Sequence, residues 1–304
     1  MSKLPTNTRS QILIAGALYA SAFVFSAHGA QSTPIPDFSG LWGRNAFNFE
    51  PLSSGASPVT NLERLPDGSG NQRKLVGDYN NPILKPEAAR IVRQMGEISR
   101  ADLPYPDPSN QCAPYVPPYT FALQLGMQML QAKDHVTFLY NQDDQVRRVR
   151  LNDTHPAKLI PTTMGDSVGH YEGDTLVVDT VGIKVGALAM IDRYGTPRSS
   201  SLHLVERYRL IDGKTAAEIA DRQMRVEGPM GLNGAVLVDR TYTGQGLQLT
   251  FTVEDPEVFT TPWSATITYR RTIGPWLEQI CAESTIDYEI GQAPEMPVAT
   301  TPDF

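Results

Sequence analysis

From residue 120 onward the chain alternates apolar and polar residues with a period of two, and turn residues recur at short spacing. The segment HVTFLYNQDDQVRRVRLN at 135–152 is typical, because two alternating runs meet at Asp143-Asp144. Successive side chains of a β-strand point to opposite faces, and strands joined by turns this short pair with antiparallel neighbours. We therefore predict an antiparallel β domain over residues 120–304 rather than alternating strands and helices.

The alternation and the turn residues together place the strands. They are predicted at 135–142, 145–152, 167–171, 174–182, 201–211, 216–226, 235–243, 246–254 and 264–271. Strands joined mostly by tight hairpins favour an all-β, lipocalin-like fold, either an antiparallel up-and-down barrel or a strongly curved sheet, with room inside for one small ligand.

Residues 31–119 predict an irregular N-terminal arm that contains the one expected helix. The sequence KPEAARIVRQMGEI places Pro86 in a first turn and apolar residues at helical spacing after it, which predicts a helix at about 86–98. The segment PDFSGLW at 36–42 is a candidate first strand. After the helix, LPYPDPSNQCAPYVPPY at 103–119 contains six prolines and is expected to be an extended connection.

The N-terminus has the pattern of a Sec-type signal peptide. Lys3 and Arg9 precede the apolar run 12–27, and small residues follow as far as Ala30. We expect residues 1–30 to be removed and the protein to reach the periplasm or to be secreted. The alternative is an uncleaved anchor, which the short apolar run disfavours. No later apolar run reaches about 18 residues, so no membrane insertion is predicted after cleavage.

Composition and spacing exclude several classes of partner. The chain has 26 Lys and Arg against 33 Asp and Glu, a formal net charge of −7, which disfavours nucleic acid. No glycine-rich stretch joins a strand to a helix as phosphate-binding loops do, so no nucleotide or other organic cofactor is predicted. None of the histidines has H-x-H or H-x-x-x-H spacing, and no metal site is predicted.

Cys112 and Cys281 are the chain's two cysteines. Because export would carry both into an oxidising space, we predict a disulfide between the proline-rich connection and the segment after the last strand. Two buried, unreactive thiols are the alternative.

Several segments resemble a family. They are DFSGLW near the start of the mature chain, THPAKLIPTTMGDSVGHYEGDTLVVDTVG, SLHLVERYRLID and VEDPEVFTTPW. Together they resemble a large, mostly uncharacterised family of exported bacterial proteins. The resemblance implies export and a β-rich, lipocalin-like body, and it carries over no catalytic residue.

The sequence GDSVG at 165–169 matches the G-x-S-x-G pattern of a hydrolase nucleophile elbow. An elbow requires a strand, a sharp turn at the serine and then a helix. Here a second apolar strand follows after Glu172-Gly173-Asp174, so a β-hairpin is the preferred interpretation. Asp192 and His203 follow Ser167 in the order of an α/β-hydrolase triad, but chain order alone is weak support.

Glu206 is the strongest candidate for a catalytic group. Alternation along LHLVERYRL places Glu206 and Tyr208 on one face with Leu202, Leu204 and Leu210. A carboxylate that faces a barrel interior is desolvated and becomes a candidate general acid or base unless it is paired. A structural ion pair with an inward arginine is the alternative.

Further site candidates rest on weaker patterns. Asp179 alternates with Val177 and Val181 and is expected to face inward as a second carboxylate, with Arg148 or Arg240 able to neutralise it. His155 interrupts the β pattern in a loop at the barrel rim, where functional residues concentrate, although a surface histidine without a role has the same pattern. The candidate ligand-binding aromatics are Tyr115, Phe259 and Trp263. They could line the entrance to a ligand pocket, or they could hold loops against the barrel.

Two functions compete at this stage. The first is a cofactor-independent enzyme that acts on a terpenoid, steroid or aromatic molecule, with Glu206 as principal group and His155, Asp179 or Tyr208 assisting. Lyase, isomerase, hydratase and hydrolase chemistry all need only a proton donor and acceptor in a dry site. The second is a periplasmic binding protein that holds such a hydrophobic ligand unchanged.

Overall fold

The computed structural model describes residues 34–123, 125–186, 188–228, 238–239 and 241–272. The predicted signal peptide and Cys281 lie outside the described residues, as do residues 235–237 and 240 of the predicted strand 235–243. The described residues 238–239 and 241–243 of that segment form no strand, and Val238 makes an isolated bridge with Thr272. None of the helices in the described ranges has the length and apolar character needed to span a bilayer.

Ten strands and two α-helices make up the regular structure of the described residues. The strands are β1 (Gly40–Gly43), β2 (Glu50–Pro51), β3 (Met127–Gln131), β4 (His135–Tyr140), β5 (Gln145–Leu151), β6 (Asp166–Glu172), β7 (Thr175–Val181), β8 (His203–Ile211), β9 (Gly246–Glu254) and β10 (Trp263–Arg271). The helices are α1 (Pro86–Arg100) and α2 (Gly213–Glu227). Short 3-10 helices lie at Pro108–Gln111, Tyr119–Ala122 and Gln142–Asp144.

The strands form a closed barrel. Their order in the sheet is β1-β3-β4-β5-β6-β7-β8-β9-β10-β2, and β1 also pairs with β10, so that nine strands close on themselves in the described part of the chain. The pairs Trp42↔Arg271 and Gly43↔Arg270 make this closure. The predicted all-β barrel is thus confirmed, and the N-terminal arm supplies the strand that completes it.

One strand pair departs from the predicted up-and-down order. β5 and β6 are parallel, in the register Val149↔Ser167, whereas the other paired strands are antiparallel. A parallel pair cannot be joined by a tight turn, so residues 152–165 form a longer connection that crosses the outside of the barrel. This connection carries His155.

The predicted helix is confirmed as α1. It begins at Pro86 and buries Ala88, Val92, Gly96 and Ser99, which recur every three or four residues along one face.

A second helix replaces a predicted strand, and the expectation of one helix was wrong. Residues 216–226 were expected to be extended, but α2 runs from Gly213 to Glu227. The Asp212 carboxylate accepts a hydrogen bond from the Thr215 backbone N–H at 3.0 Å and so caps the helix. The residues after this cap are mostly good helix formers, and the turn signal Asp212-Gly213 marks a helix start rather than a hairpin.

Large side chains fill the interior of the barrel. The largest fully buried ones include Trp42, Tyr140, Tyr208, Tyr269, Phe121, Phe138 and Phe251. One charged side chain, Arg147, is among them. A buried arginine needs an anionic partner, and this requirement leads to the first polar cluster.

Candidate functional site

Glu206 lies inside the barrel, on the face that the alternation of β8 predicts. Leu204, Glu206 and Tyr208 are each 0% exposed, and β7 and β9 flank them. Glu206 is opposite Val178 on one side and Phe251 on the other.

Arg147 and Glu206 form a bidentate ion pair in this interior. Arg147 Nη1 donates to Glu206 Oε2 at 2.9 Å, and Arg147 Nη2 donates to Oε1 at 2.6 Å. The Tyr208 hydroxyl donates to Oε2 at 2.7 Å, and Thr180 Oγ1 lies 3.3 Å from Oε1. Arg147 Nε also donates to Ser167 Oγ at 3.0 Å. We call Arg147, Ser167, Thr180, Glu206 and Tyr208 the inner cluster.

The electrostatics of the inner cluster are those of a structural ion pair. Burial acts to lower the pKa of Arg147, but the adjacent Glu206 carboxylate, together with Tyr140, outweighs burial and raises that pKa well above its usual value. Burial, reinforced by the Glu206 charge, raises the pKa of Tyr208 well above 10.0, so its hydroxyl stays protonated and donates. Both carboxylate oxygens therefore accept hydrogen bonds from side chains that are themselves buried.

Ser167 belongs to the inner cluster and lies on a hairpin. β6 and β7 pair from Asp166↔Val181 to Glu172↔Thr175, so the hairpin interpretation of GDSVG is confirmed. Ser167 is buried, and its hydroxyl contacts Arg147 and Thr180, the latter at 3.0 Å.

The partners that a triad would need are engaged elsewhere. Asp192 accepts hydrogen bonds from the backbone N–H groups of Tyr194 and Thr196 within its own loop. His203 bonds to Asp179, on the outer face of the barrel.

Asp179 faces outward, and the expectation that it faces inward as a second carboxylate was wrong. In β7 the inward residues are Leu176, Val178 and Thr180, and Asp179 is opposite Val205 rather than Glu206. Its side chain is 38% exposed. The apolar run Leu176-Val177-Val178 fits either face, so alternation alone does not fix which way this strand points.

Two histidines share the Asp179 carboxylate. His155 Nε2 lies 2.9 Å from Asp179 Oδ1, and His203 Nε2 lies 2.9 Å from Asp179 Oδ2. The other nitrogen of His155 lies 2.6 Å from Asp166, and that of His203 lies 3.4 Å from Glu254. We call Asp166, His155, Asp179, His203 and Glu254 the outer cluster.

The fold brings these five residues to one edge of the barrel. Asp166 begins β6, Asp179 lies near the end of β7, His203 begins β8 and Glu254 ends β9, so four neighbouring strands meet there. His155 comes from the crossing connection that the parallel β5–β6 pair requires. Sequence reasoning weighed His155, Asp179 and His203 separately and missed Asp166 and Glu254; charged residues at the ends of successive strands were the available signal.

Hydrogen bonds shift the pKa values of the outer cluster. The bond to Asp179 raises the pKa of His203 above 6.5, while the bonds from His203 and then His155 lower the pKa of Asp179 below 3.8 despite partial burial. The Arg150 guanidinium donates to Asp166 at 2.7 and 3.2 Å and lowers the pKa of that carboxyl. Imidazoles oriented by carboxylates are the commonest general acids and bases.

An exposed apolar surface lies at the same edge of the barrel. Residues 159–162 run beside residues 182–185, where Thr162 N–H donates to Gly182 O at 3.1 Å and Lys184 N–H donates to Thr162 O at 2.8 Å. Leu159, Ile160 and Val185 are exposed there, Ile160 to 75%. We call these three residues the Leu159 patch.

The structure places the predicted ligand-binding aromatics in protein contacts. Tyr115 stacks edge-on against Tyr119 at 4.7 Å, and its hydroxyl donates to Asp107, which pins the proline-rich connection. Trp263 packs against Phe259 at 5.7 Å, and both are buried with the core. The contacts just described join these aromatics to residues that belong to neither cluster.

The remaining candidates from the sequence are a metal site, two arginines and the cysteine pair. Within the described ranges, no group of three or more His, Cys, Asp or Glu side chains is arranged to hold a metal ion. Arg148 lies on the outer face, with a side chain 60% exposed, and Arg240 lies outside the described residues. Cys112 follows the 3-10 helix Pro108–Gln111 in a left-handed conformation, and the disulfide with Cys281 stays a prediction.

Comparison of the chain with models of protein families, with curated proteins and with solved structures gave no match.

Proposed function

We propose that the protein is an exported, cofactor-independent enzyme that acts by acid/base chemistry on a hydrophobic small molecule, and that the outer cluster is its proton-transfer site. One observation carries the proposal: His155 and His203 both lie 2.9 Å from the same carboxylate, Asp179. A shared carboxylate holds the two imidazoles close together and balances the charge of a protonated ring.

The inner cluster has a supporting role in this proposal. Thr180 contacts Glu206 from the inner face of β7, and Asp179 is the next residue on the outer face of the same strand. A rigid interior ion pair fixes the strand and thereby the position of Asp179, as supporting residues do for catalytic groups. Glu206 and Tyr208 thus hold the scaffold, and His155, Asp179 and His203 perform the chemistry.

The Leu159 patch supports a hydrophobic substrate. Its side chains adjoin β6 and β7 at the edge where Asp166 and Asp179 lie. A terpenoid, steroid or aromatic molecule that covers Leu159, Ile160 and Val185 would lie at the edge of the barrel that carries the two imidazoles. The reaction is then a proton transfer that leads to elimination, isomerisation, hydration or hydrolysis, none of which needs a bound organic cofactor.

Export is supported by the N-terminal pattern of residues 1–30 and by the resemblance to a family of exported bacterial proteins. In the oxidising space that export reaches, we propose that Cys112 pairs with Cys281.

A screen for isotope uptake from solvent tests the function. The purified mature protein is incubated with a panel of terpenoid, steroid and aromatic compounds, once in D₂O and once in H₂¹⁸O, and the products are analysed by mass spectrometry. Isomerisation through proton exchange places solvent deuterium on carbon, hydration places both solvent deuterium and solvent oxygen in the product, and hydrolysis places solvent oxygen there. Elimination takes up no isotope and is detected as a product that has lost the mass of the leaving group and a proton.

The matched variants are His203→Gln and His170→Gln. His170 lies on β6, is exposed and bonds to Glu172 at 3.0 Å, outside the outer cluster. We expect isotope uptake with the wild type and with His170→Gln, and its loss with His203→Gln. Tight binding of a compound without isotope uptake and without any elimination product would support the alternative, a non-catalytic periplasmic binding protein. Uptake that is equal in His203→Gln and wild type would contradict the site.

A further inference from the structure

Arg198 is a buried arginine in the connection between β7 and β8. Residues 189–198 form a hairpin, in which Ile191 N–H donates to Thr196 O and Arg198 N–H donates to Ala189 O, each at 2.9 Å. The bridge Met190↔Pro197 holds the hairpin together. The position of the Arg198 backbone is therefore fixed by main-chain hydrogen bonds.

The Arg198 guanidinium has nitrogen atoms that make no hydrogen bond within the described part of the chain. Arg198 is 7% exposed, and its Nη2 donates to Lys184 O at 2.8 Å. Nε and Nη1 are buried and have no hydrogen-bond partner among the residues that the structure describes. Burial lowers the pKa of Arg198 to about 10, and the charge of Asp255 opposes this shift only in part.

Asp255 is the acid whose charge acts on Arg198, and its oxygens are already in use. Ser199 N–H donates to Asp255 Oδ2 at 2.7 Å, and Ser199 Oγ donates to Oδ1 at 2.7 Å. No carboxylate oxygen in the described part of the chain lies within 4.0 Å of the Arg198 nitrogens. A buried guanidinium without a carboxylate in contact is costly, and an anion that reached it would gain both the charge interaction and an unfilled hydrogen bond.

The neighbours of Arg198 connect it to the proposed site. Lys184, whose carbonyl Arg198 contacts, is followed by Val185 of the Leu159 patch. Asp255 directly follows Glu254 of the outer cluster. Arg198 thus lies at the same edge of the barrel as the histidines and the apolar patch.

We propose that Arg198 binds the carboxylate of an amphipathic substrate, through an N–H group of either Nε or Nη1, while the apolar body of that substrate covers the Leu159 patch. The planar guanidinium matches a carboxylate better than an ammonium does, since its N–H groups are fixed in direction. The inference deepens the proposed function and rests on it for the link to turnover, but the anion site is testable by binding alone.

The binding test compares a carboxylate with its neutral analogue. Isothermal titration calorimetry measures the affinity of the mature protein for 2-naphthoate and for 2-naphthamide, which share the aromatic body. Arg198→Gln is compared with Arg209→Gln, an exposed arginine on β8 that undergoes the same change in charge. We expect Arg198→Gln to weaken naphthoate binding by about tenfold or more, the size expected for a hydrogen bond to a charged group.

Naphthamide binding is expected to change little in Arg198→Gln, and Arg209→Gln should bind both probes as the wild type does. Unchanged naphthoate affinity in folded Arg198→Gln would overturn the proposal. If Arg198→Gln does not fold, a competition experiment with the wild type tests the proposal instead. Acetate should displace naphthoate but not naphthamide. Equal affinity for the two probes, or binding of neither, would overturn the proposal.

The two proposals fail separately. Naphthoate selectivity that depends on Arg198, without isotope uptake or an elimination product from any panel compound, would leave a protein that binds anions and would reject the enzyme. Isotope uptake with no preference for carboxylates would keep the enzyme and reject the role of Arg198.

Discussion

Asp179 and Thr180 are consecutive residues of β7 whose side chains join different polar clusters on opposite faces of the barrel wall. The Asp179 carboxylate lies 2.9 Å from His155 Nε2 on the outside, and Thr180 Oγ1 lies 3.3 Å from Glu206 Oε1 on the inside. The strand therefore connects a buried ion pair mechanically to a partly exposed pair of histidines, and the two clusters can be perturbed one at a time.

Loss of the Glu206 charge should destabilise the fold. In Glu206→Gln the Arg147 guanidinium stays buried without a counter-charge, and we expect the free energy of unfolding to fall by about 3–5 kcal/mol. Urea denaturation followed by fluorescence measures the change. The control is Glu87→Gln, which removes one partner of an exposed ion pair with Arg90 on α1 and should leave stability nearly unchanged. A comparably small effect of Glu206→Gln would contradict a structural role for the inner ion pair.

The outer cluster should make stability depend on pH. The pKa of His203 is raised above 6.5 by its hydrogen bond to Asp179, so the stabilisation it contributes is complete below pH 6.5 and is lost as pH rises through the folded-state pKa. The pKa of Asp179 is lowered below 3.8, so its contribution is present above pH 3.8 and is lost as pH falls through the folded-state pKa.

The variant His203→Gln tests the predicted direction of the pH dependence of stability. The stability lost relative to wild type should be larger at about pH 5.5 than at about pH 9, because the charged pair exists only at the lower value. Nuclear magnetic resonance of the His203 ring in Asp179→Asn should also show its pKa moving down toward 6.5. A loss of stability that is the same at both pH values, with no movement of the ring pKa, would show that the two side chains do not interact in solution.

Much of the barrel could be predicted from the sequence, because alternation and turn residues are local features of the chain. The alternation along β8 places Glu206 and Tyr208 inside with Leu204, as observed. The hairpin at 165–182 follows from two β runs about a glycine turn. Gly165 serves that geometry, since its φ is +72° and a Cβ there would lie 2.8 Å from Val181 O.

Where the sequence is not sufficient, long-range contacts decide the structure. Alternation along β5 places Arg147 on the same face as Val149, and Val146 on the opposite face. As observed, Arg147 is buried and Val146 is 59% exposed. The local pattern does not identify the partner of the buried Arg147, which is Glu206, 59 residues away. The parallel pairing of β5 with β6, which delivers His155 to Asp179, is likewise a property of the assembled sheet.

Ser167 should not behave as a nucleophile. Its hydroxyl is buried and accepts a hydrogen bond from Arg147 Nε, so Ser167→Ala is expected to lower stability by about 1–3 kcal/mol without affecting isotope uptake. A fluorophosphonate probe, which modifies activated serines, should leave the folded protein unlabelled. Stoichiometric labelling at Ser167, mapped by peptide mass spectrometry, would restore the hydrolase interpretation.

Glu227 should anchor α2 to the N-terminal arm. Its carboxylate accepts backbone N–H bonds from Phe47 at 2.7 Å and Asn48 at 2.9 Å, and it is buried. Glu227→Ala leaves both donors unpaired and is expected to cost about 3 kcal/mol in urea denaturation. Glu218→Ala, on the exposed side of the same helix, is the matched control and should have little effect. Equal effects of the two variants would show that α2 is not held at this point.

The central claim is that acid/base chemistry belongs to the outer cluster, and the neighbours Asp179 and Thr180 test it most directly. Isotope uptake is measured for Asp179→Asn and Thr180→Val with a compound that the wild type converts, at a temperature where both variants are folded. We predict that Asp179→Asn lowers the rate by about 100-fold or more, as loss of a general acid or base does, while Thr180→Val, which removes only a contact that supports the strand, lowers it by much less. Retained turnover in Asp179→Asn together with its loss in Thr180→Val would place the chemistry in the inner cluster and contradict the account.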